Sequence, residues 1–320
     1  MPKFSIVMPV WNRADIVSRS IESVRCQTFG DYELLIIDDG SEDNLGEVVE
    51  SYLSEKIVYH KIPHSGVGSA RNFGLKQAKG DLIAYLDSDV IWHPEYLSTM
   101  WSALSENESL REAAYCRLNF FVKDPETGSL RFEGVNGEEF NFRNLVEENY
   151  IDLNTFVHSK KCTSIVGYHD ESLRVLVDWE YILRMTSIFE PVFVPKVLVD
   201  YYFGLAKNAL STSNMLTKVH AYRYIYEKHQ DEILRVTGKN GLAKLFRDIA
   251  LTGADVGDFN CCRTCMLKAF KTDGGNPLIF LLALWTLFGE RVFRLGKPVR
   301  VMLRRRSKQT GVAFLDKRLS

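Results

Sequence analysis

The 320-residue chain has no apolar run of the roughly 18 residues that a membrane-spanning helix needs. The longest candidate, Pro277 to Phe288, stops short of that length. Its six cysteines, at positions 26, 116, 162, 261, 262 and 265, lay out no disulfide framework for a chain of this size. Cys261-Cys262-x-x-Cys265 clusters three sulfurs, but no histidine follows at a usual spacing. Structural zinc wants four ligands, so buried helix cysteines are the expectation there. Internal repeats and low-complexity segments are absent. A net charge of −1 gives no global case for nucleic acid binding. Charged residues at 25% and aromatics at 12% exclude general disorder. Met1-Pro2-Lys3-Phe4 enters a strand pattern at once. That predicts a chain without a signal peptide, in a reducing, cytoplasmic compartment.

The near-zero charge hides an asymmetry. Arg291 to Ser320 carries ten Lys and Arg against the single acid Asp316, which leaves the rest of the chain acidic. The apolar stretch Pro277 to Phe288 directly precedes this basic tail, and Arg304-Arg305-Arg306 lies within it. An apolar helix beside a basic one predicts peripheral contact of residues 277–306 with an anionic membrane. The competing expectation is a helical hairpin packed on the rest of the chain, with a solvated tail.

The first ninety or so residues alternate strand and helix. Strands are expected at Phe4 to Val10, Tyr32 to Ile37, Ile57 to Ile62 and Leu82 to Leu86. Helices are expected over Ile16 to Val24, Leu45 to Leu53 and Gly66 to Ala78. Such alternation implies a parallel sheet flanked by helices. Further on, the pattern predicts a helix near Glu95 to Leu104, strands at Ala113 to Val122 and Ser129 to Phe132, a helix over Leu173 to Ile188 and a β-rich Val192 to Tyr202. From about Ser213 helical periodicity dominates, with breaks near Gly253–Asp258 and Asp273–Pro277. The expected organisation is a strand–helix half over 1–100, a mixed second half over 101–212 and a helical region with a basic tail over 213–320.

Two acidic clusters, Asp38-Asp39-Gly40-Ser41 and Asp87-Ser88-Asp89, each follow the end of a predicted strand. Open α/β sheets bind ligands outside the carboxyl ends of their strands, so both clusters should share one cleft. Asp87 and Asp89 flank a small residue and offer hard oxygen ligands to Mg²⁺ or Mn²⁺ and acceptors to a ribose hydroxyl. A solvated turn is the bland alternative. Gly66 to Asn72 opens a helix whose free N–H groups and Arg71 are candidates to face phosphates. Asp178, near a helix start, is read from its surroundings alone as an N-terminal acid paired with Arg174 or Arg184.

Pro9-Val10-Trp11-Asn12, Asp38-Asp39-Gly40-Ser41, Ala70-Arg71-Asn72-x-Gly74 and Ala84-Tyr85-Leu86-Asp87-Ser88-Asp89 occur in that order. With Val166-Gly167-Tyr168-His169-Asp170-Glu171, then Val177-Asp178-Trp179-Glu180-Tyr181 and Arg184, the series resembles the family 2 glycosyltransferases over roughly residues 3–205. The resemblance implies a GT-A fold: a Rossmann-like, mostly parallel sheet with flanking helices, here with a C-terminal helical extension. It implies an inverting transfer of a sugar from a nucleotide-sugar, UDP-linked, to a saccharide or glycolipid acceptor. By position, Pro9, Val10, Trp11, Asn12 and Asp39 resemble the nucleobase site, and Arg71 a residue near base and phosphates. Asp87 and Ser88 resemble ribose and sugar contacts, and Asp89 the ligand of a divalent metal. Asp178 resembles the catalytic base, and Trp179 with Glu180 the acceptor side.

Two positions depart from the family pattern. Val177 stands where the first acid of a pair is usual. The stretch Tyr201 to Asn208 lacks the histidine that many members carry, with Lys207 in that loop. Three rivals follow: transfer to a polyprenyl phosphate, a nucleotide-binding protein that has lost turnover, and a nucleotidyltransferase. The last lacks a glycine- and Lys/Arg-rich triphosphate loop near the N-terminus.

Overall fold

Strand β1 (Phe4–Val10) is buried along its whole length, because it lies between β2 (Tyr32–Asp38) and β4 (Leu82–Tyr85) and is covered on both faces. All three run parallel, and β3 (Ile57–Lys61) extends the set beyond β2. Parallel strands buried on both faces read as continuous apolar runs, which is how these four announce themselves in the sequence. The computed structural model describes residues 1–105, 111–124, 126–205 and 214–287. Lys207, the loop around it and the basic tail from Arg291 onward lie outside the described residues, as does Phe288.

Side chains alternate across β1. Phe4, Ile6, Met8 and Val10 join Val17, Ile21 and Val24 of helix α1 (Val17–Arg25) in the main apolar core. Helix α2 (Leu45–Glu50) adds Leu45 and Val49. On the other face Val7 meets helix α3 (Val67–Gln77), where a Cβ on Gly74 would stand 2.5 Å from Val7 Cγ1. The glycine of the Arg-Asn-x-Gly motif therefore serves close helix–sheet approach rather than ligand contact.

After β4 the sheet becomes mixed. Strand β5 (Val90–Trp92), helix α4 (Tyr96–Ser105), β6 (Ala113–Lys123), β7 (Leu130–Asn136), β8 (Phe156–Ser159) and β9 (Val192–Phe203) complete a nine-stranded sheet. Its order is β3-β2-β1-β4-β8-β6-β9-β5, with β7 paired to β6. The β6–β9 pair is parallel, while β8, β7 and β5 pair antiparallel to their neighbours. The sheet is thus less uniformly parallel than strand–helix alternation suggests. β8 is the strand that joins the parallel set to the rest, and its four residues are too few to show a pattern.

The helix expected over Leu173 to Ile188 is shorter: α7 spans Val177–Thr186. Leu176, at its N-cap, adopts a left-handed conformation with φ of 60°, which ends any helix running into it. Before it lie helix α5 (Phe142–Glu147), a 3₁₀ turn at Leu153–Thr155 and helix α6 (Lys160–Val166).

The chain divides into two compact units, Met1–Phe140 with Tyr150–Leu210, and Asn141–Asn149 with Ser211–Ser320. The sheet belongs to the first. The described part of the second is helical: α5, α8 (Met215–Lys228), α9 (Gln230–Asp255), α10 (Phe259–Thr272) and α11 (Pro277–Leu287). Its breaks at 256–258 and 273–276 fall where glycine, aspartate and proline cluster. Gly238, with φ of 72°, kinks α9.

Gly74→Ala tests the approach of α3 to β1. The added methyl forces Val7 or the helix to shift, and the expected cost is about 1–3 kcal/mol in a denaturant titration.

Candidate active site

The carboxyl ends of β3, β2, β1 and β4 lie along one edge, since Val10 pairs with Asp38 and Asp38 with Lys61. Three loops there are knitted together. Asp38 Oδ1 accepts from Ser41 N at 2.7 Å, and its other oxygen accepts from the Tyr59 hydroxyl, so Asp38 is a fully buried turn-former. Asn12, itself at φ of 52°, donates its N–H to Ser41 Oγ and accepts from Glu42 N through its side chain. Gly40 needs its φ of 71°, and a Cβ there would also sit 2.7 Å from His64 N.

Asp39 spends its carboxylate on this scaffold. It accepts from Ser65 N at 2.8 Å and Gly66 N at 2.9 Å, with His64 Nδ1 also 2.9 Å away. The His64 ring stacks on Trp11 at 4.5 Å between centroids and 21° between planes. Trp11 is 37% exposed, so the pair presents an aromatic surface at the strand edge. Pro9 and Val10 are buried within β1 and offer no side chain to a ligand. Spacing gave His64 no role. Its place beside Trp11 depends on Asp39 drawing in the 64–66 turn.

The N-terminal turn of α3 is not open to phosphate as the sequence suggested. Gly66 N is committed to Asp39. A Cβ on Gly68 would meet Val177 Cγ1 at 3.4 Å and Asp170 O at 3.5 Å, so a neighbouring loop covers this end.

Arg71 and Asp87 do meet. Arg71 Nη2 donates to Asp87 Oδ1 at 2.9 Å, with the guanidinium almost entirely buried. Burial works against its charge, but Asp87 and then Asp178 outweigh that cost and hold it firmly protonated. Its Nε has no hydrogen-bond partner among the described residues. Asp87 is held on its other side by Asn154, whose amide donates to Oδ2 at 3.1 Å and accepts from Asp87 N at 2.6 Å. The same amide donates to Asp152 Oδ1 at 2.8 Å. Asn154 and Asp152 sit in the 3₁₀ turn before β8 and were not legible as site residues. A lone Asx between Leu153 and Thr155 carries no motif.

Ser88 is buried, and Asp89 is partly so. Burial, and then the charge of Asp87, push the Asp89 carboxyl up to about 7, with Arg13 opposing. Burial pushes Asp152 up to about 6, with Asp178 and Asp87 adding to it and its bonds from Asn154 opposing. Asp87 and Asp178 thus face the Arg71 guanidinium, while Asp89 and Asp152 lie within electrostatic range of Asp87. Neighbouring carboxylates offer the hard oxygen donors that a divalent cation takes, although no three of these acids bring their oxygens within 4.8 Å of one another.

Asp178 stands in the first turn of α7, half-buried. It forms no hydrogen bond or ion pair with a described residue. Arg184 pairs instead with Glu180, at 2.8 and 2.9 Å, and donates to the backbone oxygens of Val166 and Tyr168. Glu180 is fully buried in that clamp, and Trp179 is fully buried in the core. Neither presents a surface to an acceptor, which corrects the acceptor-side expectation for both. Val177 is buried against Gly68, an apolar contact that an acid at this position would place in a dry setting. The 169–171 loop is fastened to α3 by Asn72, which donates to His169 O and Glu171 Oε1 and accepts from His169 N.

Comparison with known proteins identifies the fold and the family segment. Residues 5–162 match the family model described as glycosyl transferase family 2. A glycosyl transferase of Escherichia coli K12 named for colanic acid biosynthesis, WcaA, is 27% identical over 255 residues, covering 77% of this chain and 88% of that one. Among solved structures, residues 1–349 of TarS from S. aureus with UDP-GlcNAc superpose with a TM-score of 0.61 at 16% identity, covering 85% of this chain and 92% of that one. A mannosyltransferase from Pyrobaculum calidifontis with GDP-Man and Mn²⁺ gives a TM-score of 0.55 at 12% identity, over 92% of this chain and 86% of that one. The fold is that of the GT-A glycosyltransferases. Residues 5–162 thus form a glycosyl transferase family 2 domain, and the chain is a glycosyltransferase.

Asp89 predicts a pH dependence. Its folded-state carboxyl titrates near 7 against an ordinary value of 3.8, so the folded form holds a proton that the unfolded chain releases. The contribution of Asp89 to the stability of the chelator-treated protein should be full below about pH 4 and be lost as pH rises through about 7. Asp89→Asn should flatten that fall in thermal melts across the same range.

Proposed function

We propose that this glycosyltransferase moves a sugar from a nucleoside diphosphate sugar, UDP-linked, to an acceptor hydroxyl with inversion, in the assembly of an envelope or capsular polysaccharide or glycolipid. The observation that carries the reading is Asp178: a half-buried carboxylate without a hydrogen-bond partner among the described residues, within electrostatic reach of the Arg71 that holds Asp87. The UDP-GlcNAc and GDP-Man complexes of the two structural neighbours support a nucleoside diphosphate sugar as donor. The relative named for colanic acid biosynthesis supports a polysaccharide product.

In this reading the Trp11–His64 surface stacks on the nucleobase, and Asp39 keeps that surface in place. Asp87, fixed by Arg71 and Asn154, accepts from the ribose or sugar hydroxyls. Asp89, beside Asp87 and Asp152, would hold the divalent cation, which supplies charge neutralisation for the diphosphate leaving group. Asp178 takes the proton of the acceptor hydroxyl as that oxygen forms its bond to the anomeric carbon. The bond from that carbon to the diphosphate breaks on the opposite face, and the electron pair leaves with the phosphate oxygen.

Asp178→Asn should lower turnover with a hydroxyl acceptor by about 10²–10⁴-fold while UDP binding by calorimetry stays unchanged. Asp89→Ala should abolish the metal-dependent part of UDP binding. Full turnover in Asp178→Asn with a polyprenyl phosphate acceptor would favour an acceptor that is already an anion. UDP binding without any transfer would favour a binding protein, and no UDP binding under any metal condition would overturn the donor assignment.

No described helix is long and apolar enough to cross a membrane. Helix α11 buries Ile279, Leu282 and Ala283 yet leaves Phe280, Leu281 and Leu284 exposed, Leu281 at 60%. We propose that this face, with the basic segment that follows it in sequence, rests on an anionic membrane surface. Leu281→Glu with Leu284→Glu should reduce co-sedimentation with anionic vesicles several-fold and leave the helical circular dichroism unchanged. Absence of sedimentation by the unmodified chain would end this part of the reading.

A further inference from the structure

Three segments of the helical unit converge. α8 brings His220, the turn between α9 and α10 brings Asp258, and the first turns of α10 bring Cys261 and Cys265. The donor atoms of His220, Asp258 and Cys261 all lie within 4.8 Å of one another. His220 Nε2 is 2.6 Å from Asp258 Oδ2, and Cys261 Sγ is 3.9 Å from Cys265 Sγ. We propose that His220, Asp258 and Cys261 hold a zinc ion and that Cys265, 3.9 Å from Cys261 but outside that group of three, turns in to supply the fourth ligand, both cysteines binding as thiolates.

The donor set is one that zinc takes: an imidazole nitrogen, a carboxylate oxygen and two sulfurs. The sulfur spacing agrees with the geometry. Two sulfurs at about 2.3 Å from a tetrahedral zinc stand about 3.8 Å apart, whereas a disulfide needs about 2.05 Å. None of the described cysteines is in a disulfide. Asp258 is already oriented, because its other oxygen accepts from Cys261 N at 2.9 Å and caps α10. It can give Oδ2 to a metal without losing that bond. Charge also balances. Two thiolates and one carboxylate exceed a divalent ion by one negative charge, and Arg223, on α8 beside His220, donates to Cys261. Such an N–H···S contact is the usual outer support of a zinc thiolate. The sulfurs are buried, while the His220 side chain is half exposed and opens a route for the ion.

The cysteine pattern looked incomplete in sequence because its histidine was sought downstream. His220 lies some forty residues upstream, on a different helix.

The test uses the full chain, purified with a thiol reductant. Elemental analysis should find one zinc per chain that survives dialysis against a weak chelator. Cobalt reconstitution should give a thiolate-to-cobalt charge-transfer band, which carboxylate sites do not produce. His220→Ala and Cys261→Ser should each lose the zinc and the band, and Asp89→Ala should keep both. His220 is a surface change, so a folded His220→Ala with its circular dichroism intact guards against simple misfolding of the cysteine variant. A folded chain with no zinc and no cobalt–thiolate band overturns the proposal. So does zinc that persists in His220→Ala or disappears in Asp89→Ala, or a Cys261–Cys265 disulfide in protein prepared without reductant.

Discussion

A buried guanidinium is tolerable only where anions meet it, and the catalytic edge of this protein is organised around one. Arg71 sits under the strand ends with its charge sustained by Asp87 and Asp178. Removing either anion leaves a costly charge in a dry setting, and removing the arginine leaves the acids to repel one another. The pairing fixes Asp87, and Asn154 completes its grip from the opposite side. Two neighbours of that carboxylate, Asp89 and Asp152, are raised above the ordinary range first by burial and then by the acids around them. The site is held in readiness for positive charge by the repulsion it contains.

Much of this was legible. The four parallel strands show as apolar runs because burial on both faces leaves polar residues no place in them. The acidic clusters at 38–41 and 87–89 fall at strand ends, and the parallel pairing of β2, β1 and β4 puts them on one edge. What escaped the sequence depends on contacts between distant segments. Asn154 acts on a residue sixty-seven positions away. Leu173 to Leu176 carry helical periodicity, yet the loop is anchored to α3 through Asn72 and Leu176 turns left-handed. Trp179 and Glu180 follow the expected base directly, but the helix turns them inward, one into the core and one onto Arg184. Adjacency in sequence is a poor guide to exposure on a helix, where successive residues point about 100° apart.

The helical unit shows the complementary limit. Its helix breaks are readable from Gly, Asp and Pro, but its polar clusters are assembled across helices that share no short motif. His220 and Cys261 meet only after α8 and α10 are in place. Gly238 bends α9 with a left-handed residue that helical periodicity passes over without a mark.

Consecutive residues of α3 reach in two directions: Arg71 to the acidic loop after β4, and Asn72 to the loop that leads into α7. The spacing between Asp87 and the loop that leads to Asp178, the carboxylates proposed to hold the donor and to act as base, is therefore set by a single peptide step on a rigid helix. On the proposed reading, segments outside this helix could change while this ruler stays constant. That lets one chemistry be inherited across many products, with recognition free to drift and the reacting centres kept in register.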